Sequence, residues 1–374
     1  MKNECGLLCS VLALASCAAS YAAPWKSDGV YKTILPDVTV TAGGHCESSA
    51  IMNALRYEGY DVSECMIIGG GGAPSFIYLK GTFPFVGARC ENMRERFFEA
   101  TGIAWRGAVP EGKDAGWTEI RSLLEQGIPV VLRVDMRYLP YRYGGKYGSK
   151  YMSFGGHYVT LFGIDSAADV AYVSDTEYAS LQAVKLADLH KARGSDTKTF
   201  PPHAEYYWVE PSSVAIDADS LVRASFGAVI ENYESFALDG LSRYGADLAS
   251  IESYSRQKFL LPSVFAYMAG NIEKHGTGGA SFRMPYRDFL LYAAEKSSFA
   301  DEASALIMYL DECIASWHRL SSAFRDLSPV IKGMDAGKRA EEYAKLEKIA
   351  QTLYEREKAF YTEMRKSYMA MTGA

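Results

Sequence analysis

The chain has 374 residues, of which 48% are hydrophobic and 22% are charged, and its formal net charge is −6. This length exceeds one ordinary hydrophobic core and predicts two domains, and the composition is that of a globular protein. Acidic and basic residues are interspersed with a small acidic excess, which excludes a surface built to bind nucleic acid.

The N-terminal segment of residues 1–23 is predicted to be a signal peptide. Lys2 precedes an apolar stretch that is too short to span a membrane as a helix. Two processing outcomes are open: lipidation of Cys17 in the lipoprotein-like sequence Leu14-Ala15-Ser16-Cys17, which we favour, or cleavage after Ala22. The first predicts a membrane-anchored lipoprotein of the periplasm or cell surface, and the second predicts a secreted protein. A buried apolar N-terminal helix is the third interpretation.

The cysteine pattern does not predict a metal site. Seven cysteines are present, and the four that follow the signal segment are Cys46, Cys65, Cys90 and Cys313. They form neither a CxxC pair nor a Cys/His spacing typical of zinc ligands. A chain of this length does not depend on disulfides for its core. A Cys65–Cys90 disulfide is left open, because it depends on whether the compartment is oxidising.

Cys46 stands at the predicted start of a helix. The sequence runs from Gly43-Gly44-His45 into a helical pattern that continues to Leu55. A cysteine at this position faces unpaired backbone N–H groups and the positive end of the helix dipole, both of which favour the thiolate. A thiolate attacks acyl carbons, and the backbone N–H of Cys46 is a candidate donor to the resulting oxyanion. A buried structural cysteine is the alternative.

Three β-branched runs predict strands in the region of residues 24–211. They are Pro129–Val134, His157–Ile164 and Val170–Ser174. The short turn Asp165–Asp169 joins the last two as an antiparallel hairpin, so His157 and Asp175 are predicted to lie side by side. His157 would then be the base for Cys46, and Asp175 would hold the imidazole tautomer. The order Cys, His, Asp is that of papain-like cysteine enzymes.

Beyond Ser212, apolar residues recur at helical spacing almost to the end of the chain. The predicted helices are Asp219–Phe236, Ile251–Lys274, Tyr286–Glu295, Asp301–Phe324 and Lys338–Met369. We therefore predict an α+β domain of residues 24–211, followed by an all-α helical domain of residues 212–374.

Short motifs are distributed along most of the chain. In the N-terminal region they are His45-Cys46, Ser63-Glu64 followed by Gly69–Gly72, Gly87, Arg89, Val134-Asp135 with Leu139-Pro140-Tyr141, His157, Asp175 and Ala192-Arg193. In the helical region they are Gly276-Thr277-Gly278-Gly279, Phe282-Arg283 and Trp317. Together they resemble the butirosin biosynthesis protein H family. The resemblance implies a papain-like catalytic domain related to bacteriocin-processing cysteine peptidases, followed by the helical domain common in that family.

The resemblance also implies a reaction, in which an acyl group passes from a carrier-protein thioester to an amine of an aminoglycoside. Matched residue by residue, Cys46 is the nucleophile that forms the acyl-enzyme, His157 is the general base and then acid, and Asp175 orients the imidazole. This chemistry requires no metal and no organic cofactor. The partners are a small-molecule or peptide acyl donor and an amine acceptor.

His45 has two interpretations. The glutamine that papain-like peptidases place before the nucleophile is missing between Val38 and Gly44. His45 is therefore a candidate oxyanion donor, and packing at the helix start is the alternative.

Several polar and aromatic residues are candidates for binding the substrate. Arg89, Asp135 and Arg193 suit a polar substrate, and structural ion pairing is their alternative. Tyr138 and Tyr141 belong to a tyrosine-rich loop before the predicted base. This loop is interpreted as a lid or substrate platform, with an ordinary aromatic surface loop as the alternative.

The glycine run Gly69–Gly72 is not followed by the Lys-Ser or Lys-Thr of a phosphate-binding loop. We predict a turn near the cleft instead.

The predicted export conflicts with a carrier-protein donor, because phosphopantetheinylated carrier proteins are cytoplasmic. Two enzyme hypotheses therefore stand: an acyltransferase with another activated or amide donor, and an exported cysteine peptidase or amidase in which water takes the acyl group. A non-catalytic binding lipoprotein that keeps the papain-like fold is the third hypothesis. The sequence does not indicate the oligomeric state.

Overall fold

The computed structural model describes residues 30–81, 84–88, 92–112, 114–254 and 260–373. The predicted signal peptide with Cys17 lies outside the described residues, as do Arg89 and Cys90. The disulfide left open for Cys65 and Cys90 falls there too. Within the described part of the chain, no helix is both long and apolar enough to cross a membrane.

The described residues contain two antiparallel sheets. The strands are β1 Lys32–Ile34, β2 Ile77–Leu79, β3 Phe85–Gly87, β4 Trp105–Ala108, β5 Val130–Val134, β6 His157–Asp165, β7 Val170–Ser174, β8 Gln182–Lys185 and β9 Tyr206–Val209. The larger sheet has the order β4-β9-β5-β6-β7-β8, with β1 paired to β6, and β2 pairs with β3. Every residue of β6 is buried, which explains its near-continuous apolar sequence. The three predicted strands are confirmed as β5, β6 and β7.

The helices of the described residues lie around and after this sheet. They are α1 Cys46–Tyr57, α2 Glu64–Gly70, α3 Met93–Thr101, α4 Trp117–Glu125, α5 Leu186–Arg193, α6 Ala218–Asn232, α7 Leu238–Leu248, α8 Ile251–Tyr254, α9 Leu261–Glu273, α10 Arg283–Lys296, α11 Ala300–Leu327 and α12 Ala336–Thr372. A π turn over Tyr233–Ala237 joins α6 to α7. The architecture is therefore α+β, with an antiparallel sheet in the N-terminal part and a helical C-terminal part.

The helical region follows the predicted pattern with one difference. The predicted helix Asp219–Phe236 continues through the π turn into α7, which the apolar spacing did not reveal. The predicted helix Ile251–Lys274 contains α8 and α9, and residues 255–259 lie outside the described part of the chain. Pro262 at the start of α9 suits a first helical turn, where its missing N–H has no intrahelical partner to lose.

Helix α1 is buried on the sheet. The hydroxyl of Thr160 on β6 donates to the carbonyl oxygen of Ala50 at 2.8 Å. Ile51 and Leu55 of α1 are fully buried in a hydrophobic cluster that also contains apolar residues of α2, α6 and α9 to α12. The helical region therefore covers the side of α1 and α2 that the sheet leaves open.

The glycine run Gly69–Gly72 lies at the C-terminal end of α2. The prediction that this run forms a turn was wrong for Gly69 and Gly70. Gly69 and Gly70 are the last residues of the helix, and only Gly71 and Gly72 form a turn. A Cβ atom on Gly69 would lie 2.0 Å from the ring of Phe289, and one on Gly70 would lie 2.3 Å from Leu221. Close approach of α2 to the helical region therefore requires these glycines.

A buried ion pair ties the helical region to the sheet region. Arg283 and Glu357 are both fully buried, and the guanidinium Nε donates to Glu357 Oε1 at 3.0 Å. The indole N–H of Trp317 also donates to this carboxylate at 2.6 Å, and Arg283 Nη1 donates to the carbonyl oxygen of Ser75 at 2.9 Å. Because Arg283 directly follows the segment 276–282, this network holds that segment in place.

Candidate active site

Cys46 is the first residue of α1. His45 is its N-cap, with an extended backbone (φ −134°, ψ 137°), and His45 Nδ1 accepts a hydrogen bond from the backbone N–H of Ser48 at 3.3 Å. This cap satisfies one of the N–H groups that a first helical turn leaves unpaired. Cys46 is half-buried, and its Sγ lies 3.8 Å from the carbonyl oxygen of Gly156. The sulfur therefore faces the residue that precedes His157.

The carboxylate of Glu64 organises the residues around the nucleophile. It accepts hydrogen bonds from the backbone N–H groups of Gly44 at 2.7 Å and His45 at 2.9 Å. It also accepts from the hydroxyl groups of Ser48 at 2.8 Å and Ser49 at 2.9 Å. Hydrogen bonds to a charged acceptor are the stronger class, so the first residue of α2 fixes the approach to α1.

The predicted hairpin of β6 and β7 is present, with Thr160 opposite Ser174. It brings His157 at the start of β6 next to Asp175 at the end of β7, and His157 Nε2 lies 2.8 Å from Asp175 Oδ1. Both side chains are buried. The side chain of Cys46 also acts on the imidazole, because its charge and hydrogen bonding are among the causes that raise the pKa of His157. The three residues therefore form one chain of contacts, with the imidazole in the middle.

The carboxylate of Asp175 accepts hydrogen bonds from four donors. Besides His157, its Oδ1 accepts from the backbone N–H of Thr176 at 2.7 Å. Its Oδ2 accepts from the hydroxyl of Tyr141 at 2.9 Å and from Arg142 Nη1 at 2.8 Å. Burial alone would raise the pKa of Asp175, but the positive charges and hydrogen bonds of His157 and Arg142 lower it well below its usual range. Asp175 is therefore a stable anion.

The imidazole of His157 is held in its charged form at neutral pH. Burial lowers the pKa of His157, but the charge and hydrogen bond of Asp175, together with Cys46, outweigh burial and raise this pKa to about 9. A protonated imidazole beside a sulfur is the arrangement that cysteine nucleophiles use.

Tyr141 was interpreted as part of a lid or substrate platform, but in the structure it contacts the catalytic candidate Asp175 directly. Its hydroxyl binds Asp175, so it positions the carboxylate. Arg142 does the same and was missed by the sequence analysis, since it follows the Leu139-Pro140-Tyr141 motif without any spacing signal of its own. Tyr138, the other tyrosine candidate, packs edge-on against Tyr147 with ring centroids 5.2 Å apart.

Asp135 is buried and hydrogen-bonds to residues of the tyrosine-rich loop that precedes His157. Its carboxylate accepts from the hydroxyl groups of Ser153 at 2.5 Å and Ser195 at 2.7 Å. It also accepts from the backbone N–H groups of Arg137 at 3.1 Å and Phe154 at 3.0 Å. With these four partners and no exposed surface, the side chain holds the loop in shape and does not face solvent.

Arg193 is also fully buried, and its guanidinium lies over the rings of Trp117 at 4.5 Å and Tyr206 at 5.8 Å. One nitrogen donates to the carbonyl oxygen of Ala204 at 3.1 Å. Among the described residues, no ion pair joins Arg193 to Asp135, so the ion pairing considered for these two residues is not found. Arg89 falls in a range whose structure is not described.

The helical region lines one side of the nucleophile. Gly278 packs so closely on Gly44 that a Cβ on Gly44 would lie 3.2 Å from the Cα of Gly278. The ring of Phe282 meets the ring of His45 edge-on, with centroids 5.2 Å apart. The segment 276–282 is therefore a wall of the candidate site.

Two family models match the chain, each over a different range. Residues 45–176 match the family model described as butirosin biosynthesis protein H, N-terminal. Residues 187–364 match a second model, described as a domain of unknown function (DUF4872). The first match spans Cys46, His157 and Asp175, and the second begins in α5 and includes β9. No curated protein matches the chain.

Replacing Asp175 with Asn is expected to lower the pKa of His157 from about 9 towards or below its ordinary value of 6.5. The reason is that the variant removes the negative charge that raises this pKa. A titration of the His157 ring protons by NMR measures the change. In the wild type, the stability contributed by this proton is complete below about pH 6.5 and is lost as the pH rises through 9, so the variant should flatten that dependence.

The matched control is Glu177→Gln. Glu177 is an exposed carboxylate that binds the same Arg142 at 3.2 Å without contacting His157. The control should leave the His157 titration close to that of the wild type. An unchanged titration in Asp175→Asn would contradict the assigned role of the carboxylate.

Proposed function

Because the chain belongs to the butirosin biosynthesis protein H family, we propose that it is a thiol-dependent acyl-transfer enzyme with a papain-like catalytic domain. The observation that carries this proposal is the contact chain from Cys46 through His157 to Asp175. The family match supports a biosynthetic acyl-transfer role. The buried, ionised Asp175 and the protonated His157 support a cysteine-dependent mechanism in particular.

In the proposed first half-reaction, Cys46 Sγ attacks the carbonyl carbon of the donor, and a tetrahedral oxyanion forms. His157 gives its Nδ1 proton to the leaving thiol or amine, and the carbon–heteroatom bond breaks as the acyl-enzyme thioester forms. In the second half-reaction, an acceptor amine attacks the thioester and His157 takes the amine proton. Cys46 leaves as a thiolate, so the acyl group ends in an amide and the imidazole is again protonated.

His45 is proposed to assist at the oxyanion. Since its Nδ1 accepts from the backbone of Ser48, a neutral ring carries its proton on Nε2, the tautomer that a donor needs. The ring of Phe282 packs edge-on against this ring. The backbone N–H of Cys46 at the helix start is the second proposed donor.

A cysteine peptidase or amidase is the second candidate. It is favoured by the predicted export of the chain, because an exported enzyme does not meet cytoplasmic carrier proteins. The same three residues serve both reactions, and the difference lies in whether an amine or water resolves the thioester.

The first prediction of this proposal concerns the reactivity of Cys46 towards iodoacetamide. An ordinary thiol with a pKa of about 8.5 should react about 80-fold more slowly at pH 6.5 than at pH 9, because only the thiolate reacts. We expect less than about a fivefold difference at Cys46, because His157, with a pKa of about 9, is already protonated at pH 6.5 and favours the thiolate there. In His157→Ala the full dependence should return. Mass spectrometry of the alkylated peptides at each pH measures the rates.

Cys65 is an internal control in the same digest, because burial raises the pKa of its thiol. It should react slowly at pH 6.5 in every variant. If Cys46 behaves like Cys65, the enzyme proposal is wrong and a non-catalytic binding lipoprotein takes its place.

A second prediction separates transfer from hydrolysis. With a panel of acyl N-acetylcysteamine thioesters and an aminoglycoside, the wild-type protein should form an acyl-amide, detected by mass spectrometry. Cys46→Ala and His157→Ala should form none. If free acid is the product even at saturating amine, the hydrolase candidate replaces the acyltransferase.

A third prediction tests His45 by replacement with Ser. Serine keeps a side-chain acceptor for the Ser48 N–H and so preserves the helix cap. It carries no side-chain N–H and is too short to take the place of the imidazole, and loss of one oxyanion donor lowers acylation by about 100-fold. We expect acylation by a thioester to fall by about that factor, with an unchanged melting temperature. Wild-type acylation in His45→Ser would show that the ring only caps the helix.

A further inference from the structure

Two aromatic rings cover the backbone that faces the nucleophile. The carbonyl oxygen of Gly156 lies 3.8 Å from Cys46 Sγ. On the same residue, a Cβ atom would lie 2.9 Å from the ring of Phe154 and 3.3 Å from Phe200. When ordinary bond lengths are added to these two contacts, the nearest Phe154 atom lies at most about 11 Å from Sγ, which is about three extended residues. This distance is within the length of a medium-length acyl group on Cys46.

Phe200 has a backbone conformation and an exposure that are both unfavourable for a phenylalanine. Its backbone is left-handed, with φ 52°, and 45% of the side chain is exposed. A bulky residue rarely adopts a positive φ, and exposing an aromatic ring gains no burial. The backbone beside it is clamped, because the N–H of Gly155 donates to the carbonyl oxygen of Thr199 at 3.0 Å. Such strained residues cluster at functional sites.

The rings belong to an aromatic cluster of Phe85, Phe154 and Phe200. The ring centroids of Phe154 and Phe200 are 5.5 Å apart, and those of Phe85 and Phe200 are 6.1 Å apart. None of the three is fully buried. The cluster thus presents apolar ring surface beside the entrance to β6.

Three polar side chains near the aromatic cluster are engaged within the protein. Arg133 donates to the carbonyl oxygen of Gly155 at 3.1 Å and to Glu205 at 3.0 Å. The hydroxyl groups of Ser153 and Ser195 are bound to Asp135. The three rings therefore supply the apolar surface of the cluster.

We propose that the aromatic cluster is the acyl-group subsite, and that it selects donors whose acyl group is an aliphatic chain of about six or more carbons or an aromatic ring. This inference rests on the proposed function, because it assigns the substrate class of the same Cys46. Apolar pockets bind apolar groups by removing their surface from water, and each buried methylene adds to the preference.

The test compares two chloroacetamides of equal length, one with an N-hexyl group and one with an N-(2-(2-hydroxyethoxy)ethyl) group. Each forms a Cys46 Sγ–carbon bond as chloride leaves, so the two probes differ only in the polarity of the tail. We expect the second-order alkylation rate of Cys46 in the full chain to be at least about tenfold higher for the hexyl probe. Mass spectrometry of the Cys46 peptide measures both rates.

Phe200→Asn is the decisive variant, because asparagine accepts a left-handed backbone more readily than phenylalanine. Its melting temperature should be equal to or above that of the wild type, so that lost selectivity does not reflect unfolding. The hexyl-to-polar ratio should fall below about threefold in Phe200→Asn and in Phe154→Ala. The matched control is Met308→Ala, an apolar residue of α11 that is 64% exposed and far from β6 in the chain.

A ratio near one in the wild type, or a ratio that survives in both variants, would overturn the subsite while leaving Cys46 reactive. A Cys46 that reacts with neither probe, or whose rate is unaffected by His157→Ala, would overturn the proposed function and the subsite with it. The two failures are therefore distinguishable.

Discussion

The candidate site depends on the carboxylate of Asp175 more than on any other group. It lies at the end of β7 and binds four donors: the imidazole of His157, the backbone N–H of Thr176, the hydroxyl of Tyr141 and the guanidinium of Arg142. A buried anion is tolerated only when it is paired in this way. The same carboxylate therefore aligns the β6–β7 hairpin, anchors the tyrosine-rich loop and sets the charge of His157.

The nucleophile is held from the opposite side by a second carboxylate and by the helical region. Glu64 fixes the turn before α1 through the backbone of Gly44 and His45. Behind that turn lies the segment 276–282, in which Ala280, Ser281 and Phe282 all have left-handed backbones. Such a segment persists only where its surroundings determine its shape, and the buried pair of Arg283 and Glu357 supplies that constraint. The helical region is thus part of the site.

Much of the site could be predicted because its signals are local. The glycine turn before Cys46 marks a helix start, and the short turn between two β-branched runs marks a hairpin, which brings His157 to Asp175. The contacts that sequence missed are tertiary: Tyr141 and Arg142 reach Asp175 across 34 and 33 residues. Gly69 and Gly70 were predicted to be a turn because glycine usually signals one. Here its small size serves helix packing against Phe289 and Leu221.

The charges of the site suit the proposed reaction, in which one imidazole acts first as acid and then as base. Asp175 and a Cys46 thiolate are negative, and His157 and Arg142 are positive, so this set is neutral while the thiolate is present. In the proposed acylation the sulfur becomes an uncharged thioester while His157 gives up its proton, so Asp175 and Arg142 still balance. The charge and hydrogen bond of Cys46 are among the causes that raise the pKa of His157, so their loss lowers it. A larger fraction of the imidazole is therefore in its neutral, proton-accepting form at the step of the proposed reaction where the incoming amine must lose a proton.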